Sequence, residues 1–368
     1  MGLIMSEQFK TFLIALATGL AVALIGGLGF FGFVLPAGFF SKTADFLNED
    51  RALLKKSLGI RAYDKLEVFE FMDKALPSSA TIYRKKTASS QMADNLYLEK
   101  DRLGRGFVLT SDGWLVSAKS VVGGLPPRSL AVAVKNKIYD ATSAVYDTWT
   151  GVVFLKLKAE DLPVVSLGDS DAIKVGDTVF GGSGKNSFWF SHVSGLNVYP
   201  EFMSREDAVL SSEGFGKIIK SQDILPAGLN GGAVANISGE VVGLAVVDNA
   251  DNYILPVNYF KDAATDVLKN RKIGRPYLGV GYIDLFSAVG EKLSRDKGAY
   301  IERVAVNSPA HRSGLKIGDI ILGIEKEKVN EYKNLSELIS EYKIGEEILF
   351  KILRGEKEME LEIKLGSK

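Results

Sequence analysis

The sequence predicts a mainly β protein that is preceded by a single N-terminal transmembrane helix and a helical stalk. An uncharged apolar segment near the N-terminus predicts the transmembrane helix, and apolar residues at helical spacing after it predict the stalk. Most of the remaining chain consists of short β-rich runs separated by turn signals, as in β-barrels and sandwiches. At 368 residues the chain is too long for one ordinary core, so we expect two or three domains.

Composition excludes several classes of function. Apolar residues make up 46% of the chain and charged residues 24%, which is typical of globular proteins. Basic and acidic residues number 45 each, which leaves no basic excess for binding nucleic acid. The absence of cysteine excludes disulfides, thiol catalysis and thiolate metal sites, and we predict no metal site and no cofactor. Only two histidines, His192 and His311, are available as catalytic bases.

The segment from Thr11 to Phe40 contains no charged residue and exceeds the roughly 20 apolar residues that a helix needs to cross a bilayer. We therefore assign residues 1–40 to an N-terminal tail and a transmembrane helix. A cleaved signal peptide is the alternative, although its apolar region is usually only about 7–15 residues long. Small residues at four-residue spacing would let two such helices approach closely: Ala15, Gly19, Ala23 and Gly27.

Residues 41–75 mix charged with apolar residues at helical spacing, which predicts a helical stalk that ends at Pro77. Residues 76–272 are then predicted to form a β-rich domain. The sequence Ser111-Asp112-Gly113 marks a hairpin in it, because Asp-Gly accepts the positive φ of tight turns. A helix from about Tyr259 to Asn270 closes this domain, and residues 273–368 form the next one.

Four segments of this domain occur in an order and at a spacing that chance explains poorly. They are GRGFVLTSDGWLVSAKSVV at 104–122, DTWTGVVFLKLKAEDLPVVSLGDSDAIKVGDTVFGGSG at 147–184, AGLNGGAVANISGEVVGL at 227–244 and NYILPVNYF at 252–260. Together with the C-terminal region they resemble the HtrA/Deg family over roughly residues 66–366. The resemblance implies a trypsin-like double β-barrel followed by a PDZ domain, both extracytoplasmic (periplasmic or at the cell surface). The positive charges that follow the apolar segment would alone favour a cytoplasmic side.

The resemblance places the catalytic triad of the family on three positions, and all three are substituted here. Ser120 stands where the family has its histidine base, Gly151 where it has the aspartate, and Asn230 where it has the nucleophilic serine. A hydroxyl is a weak nucleophile until an oriented base takes its proton. Serine cannot act as that base near neutral pH, glycine has no side chain, and an amide nitrogen is a poor nucleophile. We therefore predict no catalytic residues and no serine-protease activity.

Two other arrangements would supply a base. Lys119 lies beside Ser117 and Ser120, but neighbours in a strand point to opposite faces, and nothing marks Ser117 as a nucleophile. His192 lies in a separate strand-like run, SHVSGLNV. A surface lysine and a strand histidine are the simpler interpretations, and we favour them.

The glycines around position 230 match the motif of the family, although the nucleophile does not. They are Gly228, Gly231 and Gly232. These residues could shape an oxyanion-like pocket of backbone N–H groups, or they could be required for a tight turn. We favour the turn.

From Arg275 onward the sequence resembles a PDZ domain of the HtrA type, over roughly residues 274–366. The resemblance implies a loop whose backbone N–H groups converge on the terminal carboxylate of a peptide, and a strand, Val280–Leu285, that accepts the peptide by β-augmentation. A helix that begins near Asn334 would form the other wall of the groove. The predicted peptide-binding residues are Tyr277, Leu278, Gly279, Val280, Leu335, Leu338 and Ile339. The alternative is a groove that is already occupied or that packs against the barrel.

These expectations describe a membrane-anchored HtrA-like pseudoprotease. It would bind peptide C-termini or unfolded segments through its PDZ domain and act as a scaffold, a chaperone-like factor or a regulator. The resemblance also implies a homotrimer or association with active relatives. One alternative is an active HtrA-type serine endopeptidase in extracytoplasmic protein quality control, with an unrecognised catalytic arrangement. The other is a structural membrane organiser with a vestigial PDZ domain.

Overall fold

The computed structural model describes residues 74–87, 90–184, 187–199, 208–247, 252–287 and 298–367. The predicted transmembrane helix and nearly all of the predicted stalk lie outside these residues, so both stay predictions. Among the residues that the structure does describe, none of the helices has the length and apolar character needed to cross a bilayer.

The first barrel contains six strands and one short helix. They are β1 (Ser79–Arg84), β2 (Arg102–Val108), β3 (Trp114–Ala118), α1 (Lys119–Val122), β4 (Leu130–Val134), β5 (Lys137–Asp147) and β6 (Val152–Leu157). The strands close on themselves in the order β1-β2-β3-β6-β5-β4. The predicted Asp-Gly hairpin joins β2 to β3, and Gly113 adopts a φ of +102° there. Every residue of β3 is buried, which places the chain segment leading to Ser120 on a rigid element.

The second barrel follows, and a helix closes it. The elements in this stretch are β7 (Ser166–Leu167), β8 (Thr178–Gly184), β9 (Ser187–Val198), β10 (Leu210–Ser211), β11 (Ile218–Ser221), β12 (Ala233–Ala235), β13 (Glu240–Val247), β14 (Asn252–Pro256) and α2 (Asn258–Asn270). The barrel order is β12-β8-β9-β11-β14-β13, closed by pairing of β12 with β13, while β7 adds to β13 in parallel. Strand β10 does not belong to this sheet.

The C-terminal domain is a third β-structure. Its elements are β15 (Pro276–Tyr277), β16 (Val280–Asp284), β17 (Ala299–Val304), α3 (Pro309–Arg312), β18 (Ile320–Ile324), β19 (Glu327–Lys328), α4 (Leu335–Ser340), β20 (Glu347–Arg354), β21 (Lys357–Lys364) and β22 (Gly366–Ser367). Its sheet runs β10-β16-β17-β18-β20-β21, with β19 on β18 and β15 on β22. The edge strand β10 is therefore supplied by the preceding domain.

Short 3₁₀ helices occupy several connections. They are Leu76–Ser78, Met92–Asn95, Glu99–Asp101, Pro127–Ser129, Ser170–Ala172 and Ala227–Leu229.

Three apolar clusters form the cores of the three bodies. The first barrel shares its cluster with α2, which contributes side chains at helical spacing from Phe260 to Val267. The second barrel has a smaller cluster around Val234 and Ile254. The cluster of the C-terminal domain includes Trp149, which belongs by sequence to the first barrel. The contact between the barrels and the C-terminal domain is thus partly apolar.

Candidate functional site

The turn between β5 and β6 contains Gly151, one of the three positions to which the resemblance assigns a triad residue. The buried carboxylate of Asp147 accepts hydrogen bonds from the backbone N–H of Trp149 at 3.2 Å and from Oγ1 of Thr150 at 2.9 Å. The N–H of Gly151 donates to the carbonyl of Asp147, and its own carbonyl accepts from the N–H of Lys119 at 2.7 Å. These contacts bring Gly151 next to α1. Gly151 has a φ of +69° and open space where a Cβ would lie.

Ser120 lies on α1 and is exposed to solvent. It shares with Gly151 a shallow cleft of about 360 Å³. The cleft is lined by Ala118, Lys119, Ser120, Gly123, Gly124, Thr150, Gly151, Val246 and Tyr253. The structure therefore brings two of the three predicted positions together, and none of the described residues that line the cleft carries an imidazole or a carboxylate.

Asn230 lies outside the lining of this cleft, and its side chain bonds to the backbone. Its Oδ1 accepts a hydrogen bond from the N–H of Val247 at 3.0 Å. The preceding residues form a 3₁₀ turn in which the N–H of Asn230 points to the carbonyl of Ala227 at 3.4 Å. The N–H of Gly231 donates to the carbonyl of Ala245 at 2.8 Å. An oxyanion hole requires N–H groups that point at vacant space. The amides of residues 230 and 231 are instead used inside the protein, as a tight turn requires.

Arg105 holds this turn in place, and the sequence analysis did not single it out. Its N–H donates to the carbonyl of Asn230 at 2.7 Å, and its Nε donates to the carbonyl of Gly228 at 3.2 Å. Its Nη1 reaches Oγ1 of Thr81 at 2.8 Å. Loss of solvation, and secondarily the charge of Arg102, lowers the pKa of Arg105 to about 10, so the side chain remains a cation at neutral pH. The only sequence feature that could have indicated this role of Arg105 is its position between two glycines of the first motif.

The residues of the two alternative arrangements lie in different parts of the barrels. Ser117 is fully buried, and its Oγ donates to the carbonyl of Arg105 at 2.6 Å. Lys119 is exposed on α1. His192 pairs with Thr178 across β8 and β9 of the second barrel and does not line the cleft. Within the described ranges, no group of three potential metal-ligating side chains is present.

The predicted carboxylate-binding loop has the geometry that such a loop requires. Gly279 adopts a φ of +85°, and a Cβ there would lie 2.3 Å from the Cβ of Ser308. Only glycine fits this position without displacing α3. Tyr277 and Gly279 line one cleft together with Val280 and Arg303.

A segment of the chain itself occupies the groove beside this loop. The N–H groups of Leu278 and Gly279 donate to Oε1 of Glu213 at 3.2 Å and 2.8 Å. The N–H of Val280 donates to Oγ of Ser212, and the N–H of Ser212 donates to the carbonyl of Val280, each at 3.0 Å. Strand β10 continues this pairing along β16 in antiparallel orientation.

Helix α4 contacts this segment, and the peptide-binding role predicted for its residues stays a prediction. Its predicted lining residues Leu335, Leu338 and Ile339 are buried in the apolar cluster, against which Leu210 also packs. The polar contact with the segment comes from a residue that the sequence analysis missed. Oγ of Ser336 donates to the carbonyl of Ser211 at 2.9 Å.

The two domains also meet through a cluster of charged and aromatic side chains. The guanidinium of Arg275 binds the carboxylate of Asp147, with the Nη2–Oδ2 distance at 2.5 Å, and lies over the rings of Trp149 and Phe215. Phe215 stacks on Tyr259 with ring centroids 4.2 Å apart. Burial, and then the charge of nearby Glu337, raises the pKa of the Tyr259 phenol above its usual value.

Two closed six-stranded barrels followed by a separate β-domain indicate a trypsin-like fold joined to a PDZ domain. Residues 104–244 match the trypsin-like peptidase domain family, and residues 276–365 match the PDZ domain family. These two domains in this order support the assignment of the chain to the HtrA/Deg family. The predicted double barrel followed by a PDZ domain is confirmed.

Similar proteins agree with this assignment. The probable periplasmic serine endoprotease DegP-like of Pseudomonas putida (strain GB-1) is 28% identical over 279 residues, covering 73% of this chain and 57% of that protein. The serine endoprotease DegS of Haemophilus influenzae is 25% identical over 292 residues, covering 76% and 82% of the two chains. A solved structure titled HtrA-type protease AlgW with decapeptide has a TM-score of 0.62 at 20% identity, covering 82% of this chain and 98% of that one. This chain spans little more than half the length of the DegP-like relative.

Proposed function

We propose that this chain is a catalytically inactive member of the HtrA/Deg family that works by binding peptides through its PDZ domain. The observation that carries the proposal is Asn230, which replaces the nucleophilic serine of the motif and whose amide is bonded to Val247. Ser120 and Gly151 share the neighbouring cleft, where the described lining residues include neither a histidine base nor an orienting carboxylate. Removal of a complete triad costs about 10⁶ in turnover in a well-studied protease, which would leave no useful hydrolysis.

The PDZ domain is the part of this proposal that binds a partner. Its loop presents the N–H groups of Leu278 and Gly279 toward a single carboxylate oxygen, which is the recognition pattern for a chain terminus. The AlgW structures, similar in fold, are titled as complexes with a decapeptide and a tripeptide. A protein that binds peptide C-termini or unfolded segments without cleaving them would act as a scaffold, a chaperone-like factor or a regulator.

We also propose an extracytoplasmic location with anchorage through residues 11–40. The DegP-like relatives are named periplasmic, and the uncharged segment is long enough to cross a bilayer. Assembly as a homotrimer or with active relatives rests on the family resemblance alone.

An active serine endopeptidase is the second candidate function. It is favoured by the names of the relatives, which are serine endoproteases, and by the exposed Lys119 and Ser120 in the cleft. A serine–lysine pair would need the two groups in hydrogen-bond contact.

A fluorophosphonate probe and an unfolded protein substrate distinguish the two candidates. We expect the purified full-length protein to show neither covalent labelling nor hydrolysis of unfolded casein above the blank, because no base activates a cleft hydroxyl. Trypsin in the same buffer serves as the positive control. Labelling or turnover that disappears in the Ser120→Ala variant would establish the endopeptidase and reject the inactive assignment.

A further inference from the structure

We propose that residues 210–213 are an intramolecular ligand of the PDZ groove, so that external peptides must displace this segment in order to bind. The inference rests on the proposed peptide-binding function and adds its regulation. The side-chain Oε1 of Glu213 accepts hydrogen bonds from both loop amides, those of Leu278 and Gly279.

The segment lies in the groove as a peptide C-terminus would. Residue pairs Leu210 with Tyr282 and Ser211 with Gly281 make β10 antiparallel to β16, so that the segment runs toward the carboxylate-binding loop. Ser212 takes the place of a last residue, because its N–H donates to the carbonyl of Val280 at the start of the strand. The side chain of Glu213 then supplies the carboxylate that the terminus of a peptide would supply.

Both walls of the groove contact the segment. Oγ of Ser336 on α4 donates to the carbonyl of Ser211, and the hydroxyl of Tyr282 lies 2.9 Å from the same Oγ. Ser212 is completely buried, and its Oγ accepts from the N–H of Val280. A second chain cannot form these hydrogen bonds while the segment does, because each N–H group involved has one proton to donate.

The segment is suited to reversible occupancy. It pairs with β16 through two residues only, and an isolated ladder of that length is weak. Tethering offsets this weakness, because a linked ligand is present at an effective concentration of about millimolar. Protein C-termini with a free carboxylate are therefore the ligands that can compete, since they supply the same charge to the same loop. Internal segments without a correctly placed carboxylate would fail to displace Glu213.

The Glu213→Gln variant of the full-length protein tests this inference by fluorescence polarisation. The probe is a fluorescein-labelled pentapeptide that reproduces residues 208–212 and ends in a free carboxylate, and its carboxamide twin is the second probe. Glutamine keeps the size of the side chain and removes the charge that the loop binds. We expect roughly tenfold tighter binding of the carboxylate probe by the variant than by the unmodified protein, because a larger share of grooves is vacant.

The matched control is Glu358→Gln, which removes the same charge from exposed strand β21 at the opposite edge of the same sheet. We expect this variant to bind the probe as the unmodified protein does. A second variant, Ser212→Ala, removes the acceptor of the Val280 N–H and is expected to tighten probe binding by several-fold.

Hydrogen exchange of the amides at residues 278–280 gives a readout that needs no added peptide. We expect exchange to accelerate in Glu213→Gln and to be unchanged in Glu358→Gln. Equal probe affinity together with equal exchange in all variants would overturn the inference. Accelerated exchange with no binding of either probe would support the intramolecular contact and reject the proposed peptide-binding function. Tighter binding of the carboxamide probe as well would reject the role of the carboxylate.

Discussion

At the residue scale, the side chain of Asn230 acts as a hydrogen-bond acceptor for a backbone N–H. Its Oδ1 accepts the N–H of Val247 at 3.0 Å, while its carbonyl accepts the N–H of Arg105 at 2.7 Å. One residue thus ties β13 and β2 to the loop that carries it. A serine side chain is shorter by one heavy atom and would leave the Val247 contact unmade. These contacts give Asn230 a structural role, which is the role that the proposed function assigns to it.

Gly231 is the residue at which this structural role is most easily tested. It adopts a φ of +78°, and a Cβ would lie 2.5 Å from both the carbonyl of Arg105 and Oγ of Ser117. A non-glycine residue in the left-handed region costs about 1–2 kcal/mol, and overpacking a tight site adds about 1–3 kcal/mol. We expect Gly231→Ala to lower the free energy of unfolding by about 2–5 kcal/mol in urea titrations.

Gly123→Ala is the control for the backbone part of this loss. Gly123 also has a positive φ, +55°, but no atom lies within 4 Å of where its Cβ would be. We expect it to cost only the conformational part, about 1–2 kcal/mol. Equal losses for the two variants would show that the glycine at 231 is not required by close packing.

At the scale of elements, the sequence predicted those strands that carry their own signal. The runs around Leu115 and Val132 became β3 and β4, because β-branched residues with flanking turns indicate strands without tertiary information. Strand β10 was not predicted. Its residues, Leu210 and Ser211, are held by pairing with β16 some 70 positions away, which no local pattern reveals. The groove residues were predicted from the motif, whereas its occupant was not.

The turn from Asp147 to Gly151 forms an ion pair with Arg275, the residue immediately before β15. Arg275 binds Asp147, and the carboxylate of Asp147 is fully buried. Removing one partner of a buried pair typically costs about 3–5 kcal/mol, because the other charge is left uncompensated. We expect Arg275→Ala to lower the free energy of unfolding by about that amount, measured by urea titration.

An exposed ion pair provides the comparison. Lys364 contacts Glu347 with more than half of each side chain exposed, and exposed pairs contribute about 0–1 kcal/mol. We expect Lys364→Ala to have an effect in that range.

In addition, Asp147→Asn combined with Arg275→Ala is expected to recover part of the stability, since no charge then remains buried. Arg275→Ala and Lys364→Ala variants of equal stability would refute the structural role of the buried pair.

At the scale of the whole molecule, domain order was readable from the spacing of motifs, but the contact between domains was not. Four segments in family order predicted the double barrel, and the sequence from Arg275 onward predicted the PDZ domain. The buried ion pair between Lys217 and Glu337 joins residues 120 positions apart, and neither residue belongs to a motif. Such contacts depend on the three-dimensional arrangement of complete domains. The hydrophobic periodicity of a single sequence carries no information about contacts between domains.

Glu337 of the C-terminal domain forms contacts with two residues that precede that domain, Lys217 and Tyr259. Its Oε2 accepts from Nζ of Lys217 at 3.0 Å, and its Oε1 accepts from the hydroxyl of Tyr259 at 2.5 Å. It also completes the capping box of α4 with Asn334. Because Lys217 is 1% exposed, loss of the carboxylate would leave a buried cation uncompensated.

We expect Glu337→Gln to preserve α4 and to weaken the contact between the domains. Glutamine can replace glutamate in a capping box, so the helix start is retained. Loss of the charge should cost about 3–5 kcal/mol. Differential scanning calorimetry should then show one transition for the unmodified protein and two for the variant, as the PDZ domain unfolds separately. Glu341→Gln, which removes a charge from the partly exposed Lys333 pair at the end of the same helix, should keep the single transition. If both variants showed a single transition at the same temperature, the Lys217–Glu337 pair would have no role in coupling the two domains.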